Sequence, residues 1–370
     1  MERIVVIDWR GVANLAWHSL ASGNLPRTRP TELKEGIHRI SKLVYSLWKI
    51  HAWDKCVIAM DTPRYWRVDY LEQWWKDNTQ LHIGMRDGEW VEGVWMQNGW
   101  RIIEDGELKK LTKKVADSIE WDLSEKEMDI PFPKYKGNRA KQPWNYTTPK
   151  DEWNVKIDRL AELIAPLIGA RVIKAPRCEA DDIAAVVGKY AQTHEVVLIS
   201  ADSDWEQIMT FGDNIKIHNP SKNLWVKSTD HEAVKASLHR KIITGDSGDG
   251  VPSCVPGGHI KGVSYGNGLG DKAYDRIQEA DEWDLVDADT VQRNHTLIDL
   301  SVSWQREEVV QPILHALSTT TIGEVECTWD DIQLTKRDRE TYATKADAER
   351  IFAEWGEYLG NDRLNSVLGA

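Results

Sequence analysis

Apolar residues gather in short unbroken runs that stop at aspartate. Residues 3–8 (RIVVID), 55–61 (KCVIAMD) and 195–202 (EVVLISAD) each hold four or five consecutive apolar positions. Runs of this length, bounded by polar residues, predict strands buried on both faces. Residues 31–53 place Ile37, Ile40, Leu43, Val44 and Leu47 at helical spacing, and 151–169 and 178–193 also read as helices. A short strand is predicted over 170–176. Strand and helix alternate, which predicts an α/β domain with a mostly parallel central sheet and helices on both faces.

The pattern changes between the second strand and residue 151. Residues 88–108 alternate Trp and β-branched residues around Asn98-Gly99, which predicts a hairpin. Residues 107–123 read as a polar helix, and together these make an inserted subdomain of about 70–131. A basic segment broken by Gly and Pro follows, FPKYKGNRAKQPW. Beyond 231 a helix runs into the Gly-rich stretch GDSGDGVPSCVPGGHIKGVSYGNGLGDKAYDRI, and the tail reads as one or two further helices. A chain of 370 residues is long for one core. The expected division is a catalytic domain over 1–230 and a helical domain over 231–370.

Composition narrows this picture modestly. There are 19 Trp and only 3 Phe, so Trp is expected to do much of the core packing. The net charge of −12 argues against coating nucleic acid by bulk charge but permits a local basic groove. Four widely spaced Cys include no CxxC pair, which argues against a zinc or redox site and fits a reducing compartment. The apolar stretch of MERIVVIDW is too short for a signal peptide, and no run is long enough to span a membrane. The expected location is the cytoplasm.

Candidate chemistry lies at the strand ends. In open parallel sheets, ligands bind beyond the carboxyl ends of the strands. Three predicted strands end there in Asp8, Asp61 and Asp202, with Asp204 just beyond. The helix near 178 adds Glu179, Asp181 and Asp182 in its first turn. Any one of these acids is equally well a helix cap or a dipole partner. As a set they are costly, since two carboxylates ~4 Å apart repel by about 4 kcal/mol at an effective dielectric near 20. Such a cluster needs cations or stays protonated. Hard oxygen donors without His or Cys suit Mg²⁺ or Mn²⁺. Two ions roughly 3.5–4 Å apart can cleave a phosphodiester. Other schemes lack their motifs: GxSxG, HExxH and GxxxxGK[ST] are absent, and GNGLG at 266–270 is short of a dinucleotide loop. His18, His218 and His259 are read as packed or solvated residues.

In this order, VIDW, AMDTPRYWR, KYKGNR, CEADD, ISADSDW and GDSGDGVP…GLGDKA resemble the 5′-nucleases of the flap-endonuclease family. The likeness is to the phage-encoded 5′→3′ exonucleases, among them the phage ribonuclease H. The resemblance implies a PIN-like nuclease sheet followed by a helix–three-turn–helix region. It implies two Mg²⁺ ions, with Mn²⁺ able to substitute, held by Asp8, Asp61, Glu179, Asp181, Asp182, Asp202 and Asp204. Asp246 and Asp249 would complete the second metal site. Asp202 and Asp204 count among the catalytic groups with Lys136 and Arg139, which would bind and polarise the scissile phosphate. Tyr135 would stack on a base. Arg64, Arg67, Lys141, Lys241, Gly268, Gly270 and Lys272 would contact nucleic acid, the glycines by letting backbone N–H groups reach duplex phosphates. The implied substrates are flapped or branched DNA and RNA–DNA hybrids. The implied role is removal of RNA primers and 5′ flaps in replication by a monomer. A sliding clamp or single-stranded-DNA-binding protein is the implied partner, with no membrane involved.

Two features depart from the family. The Gly-rich stretch is longer and has Gly250 where Asn is usual, which bears on an expected K⁺ site in the helix–three-turn–helix. The insertion separates Asp61 from Lys136. Its Trp residues (Trp74, Trp75, Trp90, Trp95, Trp100) either stack on bases or form the small core of the subdomain. The second reading is favoured. Three other functions are weighed. A PIN-type endoribonuclease has no use for GDSGDG…GLGDKA. A Toprim-type site leaves Asp8 and Asp61 unexplained. A catalytically silent junction binder has no need of the full set of acids.

Overall fold

The structure, a computed structural model, describes residues 1–18, 32–96, 99–124, 130–137, 148–226, 231–254, 258–260, 263–265, 271–281, 283, 286–329 and 331–332. The chain opens with β1 (Arg3–Asp8), α1 (Trp9–His18), α2 (Glu32–His51) and β2 (Lys55–Ala59). Next come α3 (Trp66–Asn78), β3 (Leu81–Arg86), β4 (Glu89–Met96), β5 (Gly99–Glu104), β6 (Glu107–Lys110), α4 (Lys113–Ala116) and β7 (Trp121–Leu123). Then α5 (Lys150–Ile164), β8 (Ala170–Ile173), α6 (Ala180–Tyr190), β9 (Glu195–Ile199), a 3-10 segment (Ser203–Phe211), β10 (Ile215–Asn219) and β11 (Leu224–Trp225). Last are α7 (His231–Thr244), β12 (Gly258–Ile260), β13 (Val263–Tyr265), α8 (Asp271–Ala280), α9 (Ala288–Ile298), α10 (Ser301–Gln305) and α11 (Glu307–Thr319). Contacts group residues 1–64, 143–234 and 300–370 into one unit and residues 65–142 and 235–299 into a second. No described helix is long and apolar enough to cross a membrane.

The first unit is built on a six-stranded sheet of order β11-β10-β9-β1-β2-β8, parallel except for β11. The expected strands at 3–8, 55–61 and 195–202 lie side by side at its centre. Their unbroken apolar runs follow from burial on both faces. One face packs against α1, α2 and α5 through Trp9, Trp17, Ile40, Val44, Trp153 and Ile157. Trp17 and Trp153 stack with ring centroids 3.9 Å apart, where a smaller aromatic would leave a void. Because the strands run in parallel, Asp8, Asp61 and Asp202 come out at one edge.

The second unit contains an antiparallel sheet of order β6-β5-β4-β3-β7. Leu81, Val94 and Met96 cover Leu71 and Trp75 of α3, so Trp75 is a core residue, whereas Trp90 and Trp95 are exposed. The hairpin expected around Asn98-Gly99 is present as β4–β5. The polar helix expected over 107–123 is not formed as such: β6 and β7 flank a single turn of helix there. Local turn chemistry decides this. Asp87-Gly88 and Asp105-Gly106 all have positive φ (52°, 84°, 53°, 73°), the conformation that closes two-residue hairpins with the twist of the strands. Once β5 turns at Asp105-Gly106, the charged Glu107–Lys110 run becomes an edge strand, where charge on the outer strand opposes further pairing. Beyond 235 the described residues are mainly the helices α7, α8 and α9 with the β12–β13 ribbon.

Candidate metal centre and phosphate contacts

Asp8 ends β1 and is 8% exposed. Its Oδ1 accepts the Gly11 N–H (2.8 Å) and its Oδ2 accepts the Ser200 hydroxyl (2.8 Å). Gly11 is needed by space alone: a Cβ there would stand 2.1 Å from Asp8 Oδ2. Burial, and next the charge of Asp181, push the Asp8 carboxyl up to about 7, with Asp61 adding to the push. Asp61 lies two residues beyond β2 and its Oδ1 accepts the Ala180 N–H at 2.9 Å. Thr62 ties the same loop to the start of α6 through the Cys178 carbonyl, so the end of β2 and the first turn of α6 are held together. Asp181 accepts the indole N–H of buried Trp205 at 2.7 Å. Ser200 also accepts the Asp202 N–H at 3.0 Å, which links Asp202 to Asp8 through one hydroxyl. Asp202 caps the 3-10 segment, its Oδ1 accepting the Asp204 N–H at 2.9 Å.

Asp182 and Glu179 are placed differently. Asp182 is fully buried, its Oδ2 taken by the Glu179 N–H (2.8 Å) and its Oδ1 by the Ser303 hydroxyl (2.6 Å). Glu179, 1% exposed, caps α6 in return by accepting the N–H of Asp182. This reciprocal capping box satisfies two helix-end donors and gives both acids a structural task. The sequence grouping of all seven therefore separates into Asp8, Asp61, Asp181, Asp202 and Asp204 on one side and the capping pair on the other. Spacing does not reveal which way a first-turn acid points.

Among the described residues, no three Asp, Glu, His or Cys side chains already stand at positions that would hold one ion. The donor chemistry nonetheless fits a hard divalent cation. Asp8 feels the charges of both Asp181 and Asp61, and a buried carboxyl forced up to about 7 marks a place where a cation would relieve the crowding of negative charge.

In the second unit a separate charged cluster forms around the GDSGD loop. Lys241 Nζ pairs with Asp246 at 2.8 Å. Burial works against the Asp246 charge, but Lys241 and the Asp249 and Gly248 N–H groups outweigh it and hold that carboxyl below the usual range. Asp249 Oδ2 accepts the Tyr135 hydroxyl (3.1 Å) and lies 3.7 Å from Lys136 Nζ. The Lys136 N–H donates to the Asp249 carbonyl at 2.6 Å and holds Lys136 at φ 55°, a left-handed conformation that ordinarily costs a side-chain-bearing residue about 1–2 kcal/mol. Two expectations change here. Tyr135 is 7% exposed and packs with Leu71 and Trp75, so its hydroxyl steadies Asp249 and its ring does not offer a face to a base. Arg67, 1% exposed, donates to the Leu297 carbonyl and stacks on Trp66, so its guanidinium is spent inside the unit. Arg64 is exposed in the first unit. Arg139, Lys141, Gly268 and Gly270 lie outside the described residues, and for Lys272 only a backbone position in the first turn of α8 is described.

Sequence reasoning missed Ser200, Gly11, Trp205 and Ser303. Ser200 sits inside ISADSDW itself, and a hydroxyl ending a buried strand two residues before an acid was a usable signal. The other three are brought in by tertiary contacts.

No protein-family model matches the chain, and no curated protein matches it. Among solved structures, the T5 D15 protein co-crystallised with metal ions is similar with a TM-score of 0.48 and 15% identity, over 85% of this chain and 98% of that one. The bacteriophage T5 D15 flap endonuclease in a complex with DNA and metal ions gives 0.46 and 14%, over 91% and 99%. The T5 5′-exonuclease with bound zinc gives 0.44 and 14%, over 94% and 99%. Solved structures to which this chain is similar thus include those of the phage T5 5′-exonuclease and D15 flap endonuclease.

Proposed function

We propose that this protein is a divalent-metal-dependent 5′-nuclease, a 5′→3′ exonuclease that also cuts at 5′ flaps. The observation that carries the reading is Asp8, a buried carboxyl at the carboxyl edge of a parallel sheet, pushed up to about 7 by its burial and by Asp181 and Asp61. A fold keeps such a costly arrangement where a cation is to be bound. Mg²⁺, or Mn²⁺ in its place, would supply Lewis acidity at the phosphodiester and a water of lowered pKa.

The chain's own groups divide the remaining work. Asp8, Asp61, Asp181, Asp202 and Asp204 are the cation donors of the first unit, with Gly11 and Ser200 aiming Asp8 and Trp205 aiming Asp181. In the second unit Lys136 and Lys241, with Arg139, are the phosphate contacts, and Asp246 and Asp249 are further cation donors. We assign hydrolysis to residues 1–230 and duplex binding to the region beyond 231, through Gly268, Gly270 and Lys272. The substrates fitting this reading are 5′-flapped DNA and RNA–DNA hybrids, as in the removal of primers and flaps during replication beside a sliding clamp or single-strand-binding protein.

The test uses a 5′-labelled flap and a 5′-labelled RNA–DNA hybrid, with Mg²⁺ or with EDTA. Cleavage is expected only with Mg²⁺, abolished by Asp202→Asn and slowed roughly 100-fold or more by Lys136→Ala. Equal cleavage in EDTA overturns the reading.

A further inference from the structure

Arg293 of α9 is fully buried. Among the described residues no carboxylate stands within ion-pair distance of it, Asp287 acting on it only from farther away, and its Nη1 has no hydrogen-bond partner. Burial pulls its guanidinium down to about 10, which leaves it charged at neutral pH. Burying a cation without an ion-paired anion is costly, and a plain core position is better filled by an apolar side chain of the same length. The guanidinium therefore calls for a task.

Its contacts name one. Nε and Nη2 both donate to the side-chain oxygen of the adjacent Asn294, at 2.9 and 2.8 Å, and Nη2 also donates to the Pro252 carbonyl at 3.2 Å. The plane of the guanidinium lies over Trp74, 4.6 Å from the ring centroid. This fork fixes which way the Asn294 amide faces. With its oxygen held, the Asn294 NH₂ donates to the Ile242 carbonyl at 2.8 Å and the Pro252 carbonyl at 2.7 Å. Ile242 lies in α7 just before the GDSGD loop, and Pro252 lies just after it. Within the loop, Asp246 and Val251 exchange both backbone hydrogen bonds (2.9 and 2.8 Å), and the Asp249 carbonyl holds the Lys136 N–H. Asn294 thus clamps the two ends of the loop that carries Asp246 and Asp249, and Arg293 holds the clamp.

We propose that Arg293, acting through Asn294, is a positioning residue for the Asp246–Asp249 loop and for Lys136, which that loop orients. The inference rests on the nuclease reading above, in which Asp246 and Asp249 bind cations. It explains why the buried side chain is an arginine: a lysine has neither the plane to lie on Trp74 nor the fork to hold one amide oxygen twice while reaching a second carbonyl. Outer groups that orient metal ligands typically carry a 10–100-fold effect on metal affinity or activity.

The test compares wild type with Arg293→Met, which keeps the length of the stem and removes the fork, and with Arg293→Lys. Mn²⁺ binding without nucleic acid, melting temperature, and kcat and KM for flap cleavage are measured. Arg293→Met is expected to melt at or above wild type, because an unpaired buried charge is gone. It is expected to weaken Mn²⁺ binding about 10-fold or more and to lower kcat by a similar factor, with KM for nucleic acid within about threefold. Arg293→Lys is expected to recover little of either. A lowered melting temperature with unchanged Mn²⁺ affinity and kcat overturns the proposal and makes Arg293 purely structural. Should both variants fail to fold, hydrogen exchange on the wild type decides: the Asp246 and Val251 amides are expected to be as protected as those of α9, and exchange at the rate of an open loop overturns the clamp. A wild type that binds no Mn²⁺ overturns the nuclease reading itself, and this inference with it.

Discussion

Replacing Asp8 by Asn is expected to make the metal-free protein more stable while destroying its activity. The Asp8 carboxyl rises from the ordinary 3.8 to about 7 in the folded protein. A raised pKa means that the folded state holds its proton more tightly than the unfolded chain does. Stability from this group is thus complete below about pH 4 and is lost as pH rises through 7. The full loss is about 4 kcal/mol, from roughly three pH units at 1.36 kcal/mol each. At pH 5 only about 1.5 kcal/mol of it has been lost. Asn resembles the protonated carboxyl and can keep both contacts, its oxygen accepting the Gly11 N–H and its NH₂ donating to Ser200. The stability gap between Asp8→Asn and wild type should therefore widen by about 3 kcal/mol between pH 5 and pH 8.5 in EDTA. At about 2–4 °C per kcal/mol for a unit of this size, a thermal melt at the two pH values reads the change directly. Mg²⁺ should raise the melting temperature of wild type at pH 8.5 and leave the variant nearly unmoved. An offset that is the same at both pH values, or an equal Mg²⁺ shift in both proteins, refutes the reasoning.

Gly11→Ala places a methyl group against Asp8 Oδ2 and should raise the Mg²⁺ concentration for half-maximal cleavage about 10-fold or more, read from a metal titration. Lys136→Asn, which tolerates the left-handed backbone, should melt within about 1 kcal/mol of wild type yet cut at least roughly 100-fold more slowly in single-turnover assays, whereas parallel losses of stability and rate would make Lys136 a folding residue. Burial holds His218 down at about 4, beside buried His51 at 3.1 Å, so the contribution of His218 to stability should fall as pH drops below 6.5, by about 2 kcal/mol between pH 7 and pH 5. Urea unfolding at the two pH values should show the stability difference between wild type and His218→Gln changing by that amount, a comparison in which the contributions of Asp8 and His51 cancel.

Local sequence determined much of this protein. Unbroken apolar runs at 3–8, 55–61 and 195–202 specify buried strands, because a strand covered on both faces has no polar position to spare. The aspartates closing those runs then come out at one edge, because the strands run in parallel. The clustering of Asp8 and Asp61 with Asp181 was legible for that reason. The direction in which each side chain points was not. Asp181 and Asp182 are neighbours on one helix, yet one meets Trp205 near the sheet edge and the other is buried against Ser303, more than a hundred residues away. Residues 107–123 have a helical pattern of charge, but the Asp105-Gly106 turn commits Glu107–Lys110 to pairing with β5, and Trp121–Leu123 pairs with β3. Arg67 and Tyr135 sit in motifs that suggest nucleic-acid contact, and packing turns both inward. Periodicity records how often a side chain is buried. Which neighbour it meets depends on segments far apart in the chain, and that was decided only when they packed together.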